Sequence, residues 1–136
     1  MTGHQPHPGT GRTMMGEIVE KIDIESVLKG VGVTAVETVD PMNLQQAVEC
    51  VNRISALNGV KAIIFKSPCA VLEKPAPAPK IDKQKCIQCK KCIRELGCPG
   101  IVISNGTVEI DSSLCNGCGL CAQICPVHAI GGGENE

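Results

Sequence analysis

Aromatic side chains are nearly absent: the 136 residues hold one Phe, Phe65, and no Trp or Tyr. That removes the stacking platforms on which single-stranded nucleic acid is held. An excess of one charge is missing too, with 13 Lys and Arg against 14 Asp and Glu for a net charge of −1. With no strongly basic stretch, no electrostatic footprint for nucleic acid is expected. The longest uncharged apolar stretches, Val31 to Val36 and Ala62 to Phe65, fall far short of the ~20 residues that span a bilayer. No membrane partner is therefore expected. The opening Met1-Thr2-Gly3-His4-Gln5 has no charged region leading into an apolar one, so secretion is not indicated and a cytoplasmic location is the expectation. What the chain has in plenty is cysteine, ten residues. In an intracellular setting these point to metal or redox chemistry rather than disulfides.

The cysteines divide the chain. Cys50 and Cys69 stand alone, and the other eight lie between Cys86 and Cys125. Between the two regions runs Glu73-Lys74-Pro75-Ala76-Pro77-Ala78-Pro79-Lys80. Alternating proline favours extended polyproline II and forbids a helix, so residues 73–80 read as a semi-rigid linker. The expected organisation is an α/β region over 1–72, the linker, a cysteine-rich domain over 81–131 and a tail over 132–136.

Before the linker, the Gly- and Pro-rich stretch from Gly3 to Gly16 cannot be a helix or an inner strand. A helix is expected over about Gly16 to Gly30. In its second half Ile24, Val27, Leu28 and Val31 form one apolar face, and Asp23 can cap that half. Val33 to Val39 is β-branched and reads as a strand. Asp40-Pro41 predicts a helix start, with the carboxylate capping and Pro41 in the first turn. Leu44, Ala47, Val48, Val51 and Ile54 make its stripe, and Gly59 can end it. Val60 to Phe65 is the next strand. The order α-β-α-β predicts two parallel strands with a right-handed crossover. Two strands make no stable sheet alone, so this region looks like a piece of a larger one.

After the linker the sequence repeats itself. Ile81-Asp82-x-x-x-Cys86-x-x-Cys89-x-x-Cys92 recurs 29 residues on as Ile110-Asp111-x-x-x-Cys115-x-x-Cys118-x-x-Cys121, and Cys-Pro follows each time, at Cys98-Pro99 and Cys125-Pro126. Between the runs, Ile101 to Ile110 is a hairpin with an Asn105-Gly106 turn. About 50 residues with almost no aromatics cannot build an adequate core without staples.

Three cysteines at two consecutive x-x gaps converge on three corners of one cube. In the two-cluster bacterial ferredoxin pattern the fourth cysteine, before proline, serves the other cluster. Cys115 to Pro126 fits that pattern in full. The first run departs from it, since five residues rather than three separate Cys92 from Cys98. The extra two are expected to lengthen a loop without losing a ligand. The crossed rule assigns Cys86, Cys89, Cys92 and Cys125 to one [4Fe-4S] cluster, and Cys115, Cys118, Cys121 and Cys98 to a second. Gly117, Gly119 and Ala122 are expected to leave room for inorganic sulfide. The bland alternative is zinc, since four-cysteine zinc sites also use Cys-x-x-Cys pairs. Zinc ribbons supply ligands two by two, whereas here the third cysteine and the Cys-Pro fourth both repeat.

The cysteine-rich region resembles any two-cluster bacterial ferredoxin and implies an α+β ferredoxin-like fold. The region before it is more particular. Met1 to Gly11 (Met-Thr-Gly-His-Gln-Pro-His-Pro-Gly-Thr-Gly) is similar to the segment that follows the thiamine-diphosphate and magnesium motif of indolepyruvate ferredoxin oxidoreductases. Val36 to Pro41 and Ile63 to Cys69 resemble later strands of the same domain. In that family's large (alpha) subunit a ferredoxin-like domain follows directly, so the chain resembles the C-terminal part of such a subunit, with a partial thiamine-diphosphate-binding domain as its α/β fragment.

The resemblance implies an enzyme that oxidises aryl 2-oxoacids such as indolepyruvate. Its electrons pass singly through iron–sulfur clusters to external ferredoxin, and the acyl group ends on coenzyme A. It implies as partners the rest of the alpha subunit and a smaller, beta-type (gamma-like) subunit. It also implies that Thr2, Gly3, His4 and Gln5 lie beside thiamine diphosphate in the intact subunit. No Gly-Asp-Gly, the family's magnesium motif, occurs in the sequence. Thiamine diphosphate and magnesium are therefore expected only in the intact enzyme, and no 2-oxoacid turnover in this chain alone. A free-standing electron carrier with an N-terminal extension is the alternative reading.

The remaining candidates have plainer readings. His4 and His7 read as loop histidines, with His4 an active-site candidate only within the resembled subunit. Cys50 flanks an apolar stripe and reads as a small buried hydrophobe. Cys69 follows a strand end, where α/β sheets place ligands, though a structural role is preferred. His128 is expected at the surface. Lys83, Lys85, Lys90, Lys91 and Arg94 surround the first run, either as a solvated face offsetting negative clusters or as a docking surface for an acidic ferredoxin.

Overall fold

The computed structural model describes residue 7 and residues 9–69 and 72–131. Two compact units divide them, one comprising Val48–Phe65 with the described residues up to Val39, the other Asp40–Ala47 with those from Lys66 onward. The linker residues fall in the second unit.

In the first unit, α1 covers Ile24–Gly30, half the expected length. Asp23 explains where it starts: its carboxylate accepts from the Ser26 N–H at 3.0 Å, satisfying a donor that helix starts leave orphaned. Upstream, Arg12 and Ile18 form an isolated antiparallel bridge, and Thr13 and Glu17 close a turn by two hydrogen bonds. Those local bonds replace the first half of the expected helix. The apolar face of α1 is present but uncovered, with Ile24, Val27 and Val31 all exposed. Strand β1 (Ala35–Val39) pairs in parallel with β2 (Lys61–Phe65), Ala35 opposite Lys61 and Val39 opposite Phe65.

Between these strands runs α2, Leu44–Ser55. Its cap is Asn43, whose side chain accepts from the Gln46 N–H at 3.2 Å. Asp40, expected to be the cap, instead accepts from the Met42 N–H at 2.8 Å and closes a turn before the helix. Gly59 does not end α2 either. It lies four residues past the last helical one, at φ +90, where a Cβ would crowd the Thr34 hydroxyl. Thr34 in turn bonds the Val60 carbonyl through both its N–H and its hydroxyl. Cys50 is the most deeply buried side chain described, 1% exposed.

The second unit folds its repeat twice over. β3 (Lys80–Ile81) pairs antiparallel with β6 (Ile130–Gly131), and β4 (Ile101–Ser104) with β5 (Thr107–Ile110). Ile81 faces Ile130, and Ile110 faces Ile101, so the 29-residue offset carries one pair onto the other. The same offset relates Asp82 N–H to Ala129 O, 2.8 Å, and Asp111 N–H to Gly100 O, 2.9 Å. Each half therefore borrows its ladder from both ends of the repeat. The β4–β5 hairpin turns at Asn105 and Gly106, both with positive φ (49 and 79), as a two-residue primed turn requires.

Helix α3 (Lys91–Leu96) and helix α4 (Leu120–Ile124) carry the third cysteine of each run. Ile101, Val108, Ala129 and Ile130 make the core together with Cys121 and Cys125. Two of the six core side chains are thus proposed metal ligands. Of the two residues extra to the first run, one lengthens α3, which has six residues against five in α4, and the other lengthens the loop at Gly97, whose φ of +57 turns the chain toward Cys98.

Candidate metal centres

Each cysteine run begins with an aspartate that shapes the loop ahead of it. Asp82 accepts from the Gln84 N–H at 2.9 Å, and Asp111 from the Ser113 N–H at 2.9 Å. Their carbonyls accept from the Cys86 and Cys115 N–H groups. The same turn thus precedes the first cysteine of each run.

The next residues follow a left-handed path. Gln88 (φ 54) and Lys90 (φ 57) in the first run match Gly117 (φ 74) and Gly119 (φ 76) in the second. Non-glycine residues adopt this conformation only at a cost. It recurs at both gaps of both runs, so the two loops share one backbone shape. Two backbone N–H groups, one in the second loop and one past the second Cys-Pro, reach sulfur: Gly117 N–H lies 3.4 Å from Cys115 Sγ, and Ala129 N–H 3.2 Å from Cys125 Sγ.

The thiols gather in two sets. Cys98, Cys115, Cys118 and Cys121 line one cavity of about 100 Å³, walled otherwise mainly by apolar groups such as Leu96, Ile101 and Leu114. Cys86, Cys89, Cys92 and Cys125 line a second, tighter one of about 20 Å³, beside Ile81, Val108 and Val127. In each, three thiols come from one run and the fourth from the other run's Cys-Pro. Burial pushes the Cys92 thiol up, and the nearby sulfurs of Cys89 and Cys125 push it further. Burial does the same to Cys121, with Cys118 and Cys115 adding to it. Ligation requires thiolates, so filling either cavity with metal releases protons.

A single zinc ion needs its ligands within ~2.3 Å of one point. Among the described residues no three His, Cys, Asp or Glu side chains converge closely enough to hold one metal ion. The donor set of each cavity is the all-thiolate one that [4Fe-4S] cubes use.

The other sequence-selected residues fall elsewhere. At Gly117 a Cβ would overlap the backbone of Ala76 in the linker. Gly119 has open space about its Cβ position. Cys50 is buried inside the first unit, its thiol pushed up by burial and then by Glu37, and Cys69 is exposed. His128 is exposed at φ +49, with its N–H on the Cys125 carbonyl. His7 Nδ1 accepts from the Gly9 N–H. Thr2, Gly3, His4 and Gln5 lie outside the described residues. Of the cations round the first run, Lys83 pairs with Glu109, Lys85 with Asp82 and Lys91 with Glu95. Arg94 donates to the Cys89 carbonyl. Sequence reasoning missed Gln88, whose side chain accepts from the Val108 N–H at 3.0 Å and braces the hairpin. No pattern in the sequence marks it.

Among the described residues no helix is long and apolar enough to cross a membrane. Residues 108–131 match the 4Fe-4S binding domain family. The chain is 42% identical over 133 residues to the indolepyruvate oxidoreductase subunit IorA of Methanothermobacter marburgensis, and 41% identical over 136 residues to that of Archaeoglobus fulgidus, with 96% of this chain covered in both. It spans 21% and 22% of those relatives' lengths. Over 52 residues, 38% of the chain and 60% of the relative, it is also 52% identical to the pyruvate synthase subunit PorD of M. marburgensis. Along nearly its whole length the chain is thus a homologue of part of the indolepyruvate oxidoreductase IorA subunits, with a 4Fe-4S binding domain in its cysteine-rich region.

Proposed function

We propose that this chain is the electron-relay end of an indolepyruvate:ferredoxin oxidoreductase, corresponding to a C-terminal part of the large subunit, and that it holds two [4Fe-4S] clusters. Cys86, Cys89, Cys92 and Cys125 hold one, and Cys98, Cys115, Cys118 and Cys121 the other. The observation that carries the reading is the pair of cavities, each walled by three thiols of one run and the Cys-Pro thiol of the other. Clusters supply one-electron storage, while the chain supplies position, sulfur hydrogen bonds and shielding. The relay accepts electrons released by 2-oxoacid oxidation and passes them singly to external ferredoxin in the cytoplasm.

In the intact enzyme, residues 1–72 form the end of the thiamine-diphosphate-binding domain, 73–80 the linker and 81–131 the ferredoxin-like domain. Thr2, Gly3, His4 and Gln5 lie near the diphosphate there. Thiamine diphosphate and magnesium bind only with the rest of the large subunit, and a smaller beta-type subunit completes the enzyme. The absence of Gly-Asp-Gly from the sequence supports this division.

Anaerobic reconstitution tests the reading. Near eight irons per chain, brown colour that bleaches on reduction, and no tight magnesium-dependent thiamine diphosphate binding are expected. A colourless zinc-loaded chain overturns it.

A further inference from the structure

The two repeats fold alike but meet different surroundings. Residues 29 apart occupy matched places, and three matched pairs break the likeness. The Asn116 carbonyl accepts the Ala76 N–H at 3.2 Å, while its counterpart Ile87 is 64% exposed. Gly117 lies against the Ala76 backbone, while Gln88 reaches only its own hairpin at Val108. The Gln123 amide donates to the Met42 carbonyl at 2.8 Å and accepts from the Leu44 N–H at 2.9 Å, while Arg94 donates to the Cys89 carbonyl of its own run. In each pair, chain that precedes the repeat, within the same compact unit, contacts the second-run residue, while the two runs stay equally open to solvent, with Asn116, Cys118 and Gln123 exposed like Ile87, Cys89 and Arg94.

Cys118 does open on a groove, but that groove is walled by Asp40, Ser67, Glu73 and other residues preceding the repeat. Charge follows the same division. Residues 82–96 carry five Lys or Arg against two Asp or Glu, a formal +3, whereas the matched residues 111–125 carry one Asp and no cation, −1. The three lysine–carboxylate pairs of the first run are solvent-exposed, and such pairs are weak enough to re-form with a partner.

We propose that the cluster held by Cys86, Cys89, Cys92 and Cys125 is the exit, where an acidic one-electron carrier docks over Ile87, Cys89 and the surrounding cations, and that the Cys98/Cys115/Cys118/Cys121 cluster is the inner, receiving one. The assignment rests on the iron–sulfur reading above. Nearby positive charge stabilises the reduced, more negative form of a cluster, so the first-run cluster, with its five cations, has the higher potential. One electron leaves the reduced inner cluster and reduces the outer one. It then passes to the oxidised carrier, leaving the outer cluster oxidised again, and no bond or proton is exchanged. The cations steer the acidic carrier to this face.

The test lowers the charge by one unit at the same position of either repeat, Lys83→Gln and Ser112→Glu, in the full chain reconstituted with iron and sulfide. Each protein is reduced with dithionite, freed of excess reductant, and mixed in a stopped-flow spectrometer with an oxidised acidic [2Fe-2S] ferredoxin, whose spectrum is distinct. At low ionic strength Lys83→Gln is expected to slow the second-order rate about threefold, with salt closing the gap, and Ser112→Glu to leave it within about 1.5-fold. Equal slowing by both, a larger effect of Ser112→Glu, or no effect of either overturns the assignment while leaving the iron–sulfur reading standing. Failure of the unsubstituted chain to take up iron overturns both.

Discussion

Gln88 and Gly117 stand at the same place in the two repeats and share a left-handed backbone, φ 54 and 74, yet only one of them can carry a side chain. Gln88 uses its amide to hold the Val108 N–H. At Gly117 the Ala76 backbone fills that space, and Ala76 N–H bonds Asn116. Gly117→Ala therefore combines an overlap with an unfavourable φ, and is expected to cost about 2 kcal/mol. Gln88→Gly keeps its φ without strain and loses only the brace. Thermal denaturation of the loaded chain, followed by loss of cluster absorbance, should give a clearly lower midpoint for Gly117→Ala than for Gln88→Gly. The reverse order argues against the linker as the cause of the glycine.

The crossed thiol sets predict which cysteines lose protection together. In Cys125→Ala the thiols of Cys86, Cys89 and Cys92 should become open to alkylation under native conditions, while Cys115, Cys118 and Cys121 stay protected. In Cys98→Ala the pattern should invert. Mass spectrometry after brief alkylation reads this directly. Exposure of the cysteines nearest in sequence to the removed one counts against the crossing.

Cys121 and Cys125 are core residues as well as proposed ligands, so iron removal is expected to unfold the cysteine-rich unit rather than empty it. Chelation under reducing conditions should collapse its amide NMR dispersion, as for other small metal-dependent domains. Retention of a dispersed spectrum without iron refutes this coupling.

Cys50 and Cys69 should differ sharply in reactivity. Cys50 is 1% exposed, and burial, followed by Glu37, pushes its thiol up, so little thiolate exists at neutral pH. Cys69 is exposed. Iodoacetamide at pH 8 should label Cys69 within minutes and spare Cys50 until the chain is denatured. Because the Cys50 shift is upward, raising the pH toward 9 should add little labelling there. Equal rates at the two positions are incompatible with the buried placement.

How far the sequence could be read depended on the range of the forces at work. The repeat, the Asn105-Gly106 turn, the Asp23 cap and the parallel pairing of the two β-branched segments are set by neighbours, and were legible. The start of α2 at Asn43 rather than Asp40 was decided between two good caps three residues apart, a choice periodicity does not resolve. The lost first half of the expected helix reflects competing local bonds at Thr13, Glu17 and Asp23. The roles of Gly117 and Gln88 depend on chain brought in from about 40 and 20 residues away, which spacing within a motif does not reveal.

The first run places five residues between its third cysteine and Cys98, the second only three before Cys125, and the offset of 29 is nonetheless restored by Gly100 and Ala129. Two residues gained ahead of Cys98-Pro99 are matched by two missing behind it. Leu96 and Val127, which stand 29 residues from Cys125 and Cys98, line the two cavities beside the four thiols of each. The thiol has slid along the chain while the ladder on either side stayed fixed. A cysteine in this fold is thus tied to a location in space rather than to a tally of intervening amino acids. Length changes can accumulate beside a redox centre without dislodging it, provided they cancel before the next strand begins.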